Sequence, residues 1–184
     1  MTSTRPGPRI HPITEPDEQL QEILAGTLLR DGKPINIFGV LSHHPGLLKR
    51  FNRFAGWMLH RGVLPLREKE IVILRIGWRA QSVYEFGQHT VIGKERGLTD
   101  DEITALTKDP EAHPWSDDDA ALIALADELS DDDCVTDATW ERLATRWDEA
   151  ALIELLVLAG LYRLVSGFLN STGVELDDGV PSWP

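Results

Sequence analysis

Residues 71–78, Ile-Val-Ile-Leu-Arg-Ile-Gly-Trp, are apolar nearly all round, with Arg75 the one charge among them. Such a segment has no polar face to give to water, so it must lie at the centre of whatever the chain builds. Its β-branched residues permit a buried strand. The lead-in, Pro65-Leu66-Arg67-Glu68-Lys69-Glu70, favours a helix instead. A proline in the first helical turn costs no hydrogen bond, and acids there suit the helix dipole. We read a central helix that the remaining chain must cover.

The remaining chain is patterned to do so. Leu20, Ile23, Leu24 and Leu28 recur at helical spacing, predicting a helix from about Pro16 to Arg30 that Asp31-Gly32-Lys33-Pro34 stops. Residues 35–44 are apolar and ambiguous. Leu47, Leu48, Phe51, Phe54, Ala55 and Met58 form one helical face, ended by Gly62. Ser82 opens another helix that Gly97 ends, and Thr99 with Glu102 makes a capping box for a short one. Pro110 and Pro114 mark a loop. Three further helices are expected, from Ser116 to about Leu129, from Thr136 to Arg146, and from Asp148 to about Leu169, with Ser171 to Gly173 as the last stop. No period-two alternation persists. The expected fold class is all-α: a Pro-rich arm at 1–16, one helical domain at 17–175 and a tail at 176–184.

Charge and cysteine content narrow the function. Lys and Arg number 18 and Asp and Glu 30, a net charge of −12, which disfavours nucleic-acid and anionic-membrane partners because phosphate contacts need a basic face. The first 16 residues lack the apolar core of a signal peptide, and the most apolar stretch, 150–161, is short and punctuated by Glu154. A cytoplasmic setting is expected. The one cysteine, Cys134, sits among three acids with no activating cation, so an inert thiol is expected. The acidic runs Asp117–Asp119 and Asp131–Asp133 lack the alternating spacing of a calcium loop, and His43-His44 has no further ligands nearby. No cofactor or metal is expected.

The chemistry concentrates between Glu70 and His89. Helical spacing puts Ser82, Glu85 and His89 on one face, and Glu85 and His89 are an i, i+4 pair within hydrogen-bonding reach. A helical hairpin would bring Glu70 to the same place. Two carboxylates and an imidazole in an apolar surrounding form a proton-transfer site. Two structural readings compete: Ser82 and Glu85 also fit a capping box, and Glu85 with His89 also fits a solvated surface pair. Around the site, His60 ends a helix where a cation suits the dipole, or lines the pocket. Trp57, Trp78 and Tyr84 flank it, and Tyr84 is the candidate whose phenol seeks a partner. Arg75 must pair with an acid, a substrate carboxylate or a neighbouring subunit.

The run LPLREKEIVILRIGWRAQSVYEFGQHTVIGKERGLTDDEITAL resembles the core of the carboxymuconolactone decarboxylase family, which includes the AhpD alkylhydroperoxidases. The last helix, IELLVLAGLYRLVSGFLNSTGVE, is similar to the C-terminal helix of family members, so the resemblance spans 45–175. The AhpD motif is Glu, Cys twelve residues on, a second Cys after three more, then His after four. Glu70, Ser82, Glu85 and His89 stand at those positions, so the acid and imidazole match and both thiols are missing. The resemblance implies an AhpD-like fold, a Glu/His pocket and trimeric or hexameric assembly, but not thiol peroxidase activity, which needs two thiols. It points to the cysteine-less, decarboxylase-like branch, a cofactor-independent lyase using acid–base chemistry on a small organic acid, lactone or carbonyl compound. In that reading His89 moves the proton, Glu85 orients it or acts as partner acid or base, and Glu70 completes the relay. Ser82, Tyr84 and His60 are the substrate-binding candidates. The alternatives are a peroxide-related oxidoreductase and a non-catalytic small-ligand-binding protein. Two very apolar helices in a small chain favour a homo-oligomer.

Overall fold

A computed structural model describes residues 7–184. Pro6, the first proline of the arm, lies outside the described residues. The central segment is a helix, α4, Leu66–Arg79; its neighbours are α1 (Glu18–Leu24), α2 (Asn36–Leu41), α3 (Pro45–His60), α5 (Val83–Glu95), α6 (Asp100–Ala105), α7 (Asp117–Asp131), α8 (Asp137–Arg146) and α9 (Glu149–Thr172). The fold is all-α, as the periodicity predicts. Ile71, Val72, Ile73, Leu74 and Ile76 are fully buried, because α4 packs against α7, α5 and α9 on different sides. Local signals place the ends well. Thr99 and Glu102 form the capping box, and Ser116, Thr136 and Asp148 each accept a backbone N–H at their helix starts.

The N-terminal third departs from expectation. The first helix stops at Leu24, and residues 29–34 form a short antiparallel hairpin, β1 (Leu29–Arg30) with β2 (Lys33–Pro34), Leu29 opposite Pro34. Asp31 and Gly32 both take positive φ, 51° and 76°, the backbone of a two-residue turn whose twist matches paired strands. Asp-Gly therefore closes a hairpin here instead of ending a helix. The ambiguous residues 35–44 contain α2.

Arg75 is a core strut and not a substrate contact. It pairs with Asp127 at 2.6 and 2.7 Å and donates to the carbonyls of Leu106 and Lys108, tying α4 to α7 and to the loop after α6. The acidic runs are helix ends and ion-pair partners: Asp119 meets Arg67, Asp118 meets Arg146 and Asp131 meets Arg79. α9 is longer than the apolar stretch in the sequence suggests. At 24 residues it is long and apolar enough to cross a bilayer, yet it packs on α4, α5 and α7 as a core helix.

Residues 9–13 and the C-terminal tail join the helical body. Arg9 donates its backbone N–H to Thr172 and Ile13 to Gly39. The tail crosses α5 at Gly87, where a Cβ would strike the Pro181 carbonyl oxygen and come within 2.9 Å of Val180. Trp183 then packs edge-on to Trp78 and against Phe86, with ring centroids 5.1 Å apart in both pairs.

Candidate active site

The α4–α5 hairpin brings the three expected residues together. Glu70, from the second turn of α4, is fully buried and places Oε2 2.7 Å from His89 Nδ1. Glu85, one turn before His89 on α5, places Oε1 3.1 Å from His89 Nε2. The imidazole thus lies between two carboxylates, each facing one ring nitrogen. Arg96, the C-cap of α5, closes the row by donating to Glu70 Oε1 at 2.6 Å. The four groups alternate in sign, carboxylate, imidazolium, carboxylate and guanidinium, which makes this burial tolerable.

Burial alone would drive His89 to the neutral form. The charges of Glu70 and Glu85 and their hydrogen bonds outweigh it and push its pKa up to about 10. His89 is therefore a doubly protonated donor at neutral pH, Nδ1–H to Glu70 and Nε2–H to Glu85. A folded pKa above the unfolded value of about 6.5 adds stability that is complete below pH 6.5 and lost as pH climbs through 10. Unfolding measured by urea across pH 6 to 10 should show that decline, approaching about 1.4 kcal/mol per pH unit. His89→Gln should flatten it; a decline unchanged in that variant would assign the titration elsewhere.

Glu85 and His89 open onto a cleft of about 320 Å3 lined by α2, α3, α5, α9 and the residues before and after the hairpin. His60 and Tyr84 line it too, as expected, and so does Tyr162 from α9. The His60 imidazole is held below its ordinary pKa by partial burial and by Arg96, so it stays uncharged. The Tyr84 phenol is already engaged: it donates to Asp177 Oδ2 at 2.6 Å and accepts from the Ile37 N–H at 3.2 Å. Tyr162 stands edge-on to His89 with ring centroids 5.0 Å apart. Burial and the charges of Glu85 and Glu70 hold its phenol protonated, with no hydrogen bond contributing.

Ser82 does not line the cleft. It is the N-cap of α5 by position, but its side chain makes no cap hydrogen bond; it is fully buried, its Oγ unpartnered. The capping-box reading of Ser82 and Glu85 fails for the same reason: Glu85 is turned to His89. Trp57 is half exposed on α3, and Trp78 packs under the tail, so neither borders the cleft. Cys134 is exposed in the α7–α8 connection. Among the described residues no three His, Cys, Asp or Glu side chains are placed to hold a metal ion.

Three contributors lay beyond the sequence reading: Arg96, Tyr162 and Asp177. Only Arg96 carried a local hint, a cation in the last turn of α5. Asp177 is a latch in the tail. Besides Tyr84 it accepts the Asn36 N–H at 2.9 Å and the Gln88 amide, holding α2 and α5 at the cleft wall. Asp177→Ala should cost about 1–3 kcal/mol of stability by leaving those donors unpaired. Denaturant unfolding showing less than half a kcal/mol would mean that the tail only rests on the surface.

With this geometry in hand, the class is clear: an AhpD-like helical domain with an internal acid–imidazole–acid site. Residues 45–128 match the model of the carboxymuconolactone decarboxylase family. Among solved structures, a peroxidase-related protein from Silicibacter sp. TM1040 superposes with a TM-score of 0.83 at 11% identity, covering 98% of this chain and 97% of that one. A peroxidase-related protein with the alkylhydroperoxidase AhpD core, from Ralstonia eutropha JMP134, gives 0.80 at 17% identity over 95% of each chain. The debrominase Bmp8 gives 0.77 at 16% identity over 92% of each. These identities carry the fold alone. No curated protein matches the sequence.

Proposed function

We propose that the cleft is a cofactor-independent acid–base site in which Glu85 exchanges a proton with a small carbonyl compound or lactone. One observation carries this reading: His89 bridges Glu70 and Glu85, and the outer carboxylate of that row borders a cavity of substrate size. In this reading the roles differ from those expected from spacing. Both ring nitrogens of His89 are occupied, so Glu85 is the group that meets substrate. Glu85 takes a proton from the carbon next to the carbonyl, and its hold on His89 Nε2–H loosens as its charge is lost. That N–H and the Tyr162 hydroxyl are then free to donate to the enolate oxygen. Glu70 and Arg96 keep the imidazolium in place. Return of the proton from Glu85 to another atom of the substrate gives isomerisation.

Paired-thiol peroxide reduction is disfavoured, since Ser82 and Glu85 stand where it needs cysteines and Cys134 is exposed elsewhere. The direct test is proton exchange. Small ketones and lactones incubated in D2O should gain deuterium next to the carbonyl faster with the protein than with Glu85→Gln, followed by NMR. Equal rates across the panel would leave the non-catalytic binding reading in its place.

We also infer a homo-oligomer. Ile153, Val157 and Leu164 form an exposed apolar stripe on α9, 62, 40 and 62% exposed, continued by Gly160 and Gly167. Light scattering should give a multiple of 20.6 kDa; a monomer mass at micromolar concentration would refute it.

A further inference from the structure

Among the described residues, the lining of the cleft contains no lysine or arginine. Its walls are Leu28, Ile35, Ile37, Phe38, Leu59 and Leu161 among others, and Glu85, His89 and Tyr162 are among its polar groups. Two cations of the site are neutralised: His89 lies between two carboxylates, and Arg96 is held by Glu70 at 2.6 Å. Arg30 donates to the Gln88 amide oxygen at 3.3 Å and is outside the lining. His60 is uncharged. Glu70 and Glu85 therefore balance His89 and Arg96, and the row has no positive charge to spare. A carboxylate entering the cleft would lose its water, find no partner and sit beside the ionised Glu85.

We propose that the substrate is a neutral, largely apolar molecule, of the size of one or two fused rings, carrying a single carbonyl or lactone oxygen and no carboxylate. This rests on the acid–base reading above and narrows it, setting aside the organic acid expected from the family resemblance. The apolar walls bind the ring face, and the oxygen is received by His89 and Tyr162. Negative charge develops on the substrate oxygen only within the reaction, where Nε2–H and Tyr162 meet it.

The test is binding, so it does not depend on turnover. The full chain is titrated with 1-indanone and with 1-indanone-4-carboxylate, followed by NMR shifts of the protein. The ketone should bind at least roughly tenfold more tightly, because the carboxylate must be desolvated unpaired. Gly56→Lys tests the cause. Gly56 borders the cleft from within α3, and a Cβ there meets nothing within 4 Å, so a side chain can be added without a clash at its base. The added ammonium should raise carboxylate affinity about tenfold and leave the ketone within about twofold. Equal or tighter binding of the carboxylate by the unmodified chain would overturn the proposal. So would failure of the ketone to saturate, since a cleft built for neutral rings must hold one. Deuterium exchange absent while the ketone binds as expected would fail the acid–base reading and leave the neutral-ligand assignment standing.

Discussion

Glu154→Gln is expected to lower folding stability by about 3 kcal/mol. Lys69, on α4, is fully buried, and its ammonium lies 2.7 Å from Glu154 Oε1 on α9. The contact is an ion pair without hydrogen-bond alignment at that oxygen. Lys69 also donates to the carbonyls of Met58 and Arg61, and Glu154 Oε2 accepts the Val63 N–H at 2.7 Å. The pair thereby fastens the loop after α3 to both core helices. Gly62 makes room for it: φ there is +84°, and a Cβ would collide with the Glu154 carboxyl. Removing one charge leaves the other buried and uncompensated, the costly half of a buried ion pair. Adding Lys69→Met to Glu154→Gln should recover much of the loss. Urea unfolding of the two variants checks both points, and a loss below about 1 kcal/mol for Glu154→Gln would mean that carbonyls alone satisfy Lys69.

Glu85→Gln should reduce turnover of any substrate found by deuterium exchange by about 10²–10⁴-fold, the usual worth of one positioned base. Gln keeps the length and can accept from His89 Nε2–H, so the fold and the cleft should survive. Ser82→Ala should leave turnover within about twofold, because the hydroxyl touches neither the cleft nor a partner; surface-like effects are expected where no mechanism connects a group to the site. Comparable losses in both variants would move the chemistry back toward the helix start. A silent Glu85→Gln with intact binding would make the acid–imidazole–acid row a structural feature.

The AhpD-like fold was legible because its signals are local. Pro65 and the charged turn after it, Thr99 with Glu102, and Ser116 each act within four residues, where chain geometry leaves few choices. The same holds for Glu85 and His89, one turn apart on one helix. Glu70 needed one further step, the hairpin between two adjacent helices. Local signals also misled where two structures share them. Asp31-Gly32 ends a helix or closes a hairpin equally well, and Ser82-x-x-Glu85 caps a helix only if the side chains turn back to the backbone.

By itself, then, the sequence determined the helix order, the central place of residues 71–78 and the meeting of Glu70, Glu85 and His89. Periodicity and caps operate over a turn or two, and those features lie within that range. Only the tertiary structure decided what faces the site from afar: Tyr162 from α9, Asp177 from the tail, the hairpin near one wall and, among the described residues, the absence of lysine and arginine from the cleft lining. It also decided that Arg75 belongs to Asp127 and that each ring nitrogen of His89 faces a carboxylate. Such contacts join residues tens of positions apart. Their geometry follows from how whole helices pack, which no short pattern in the chain encodes.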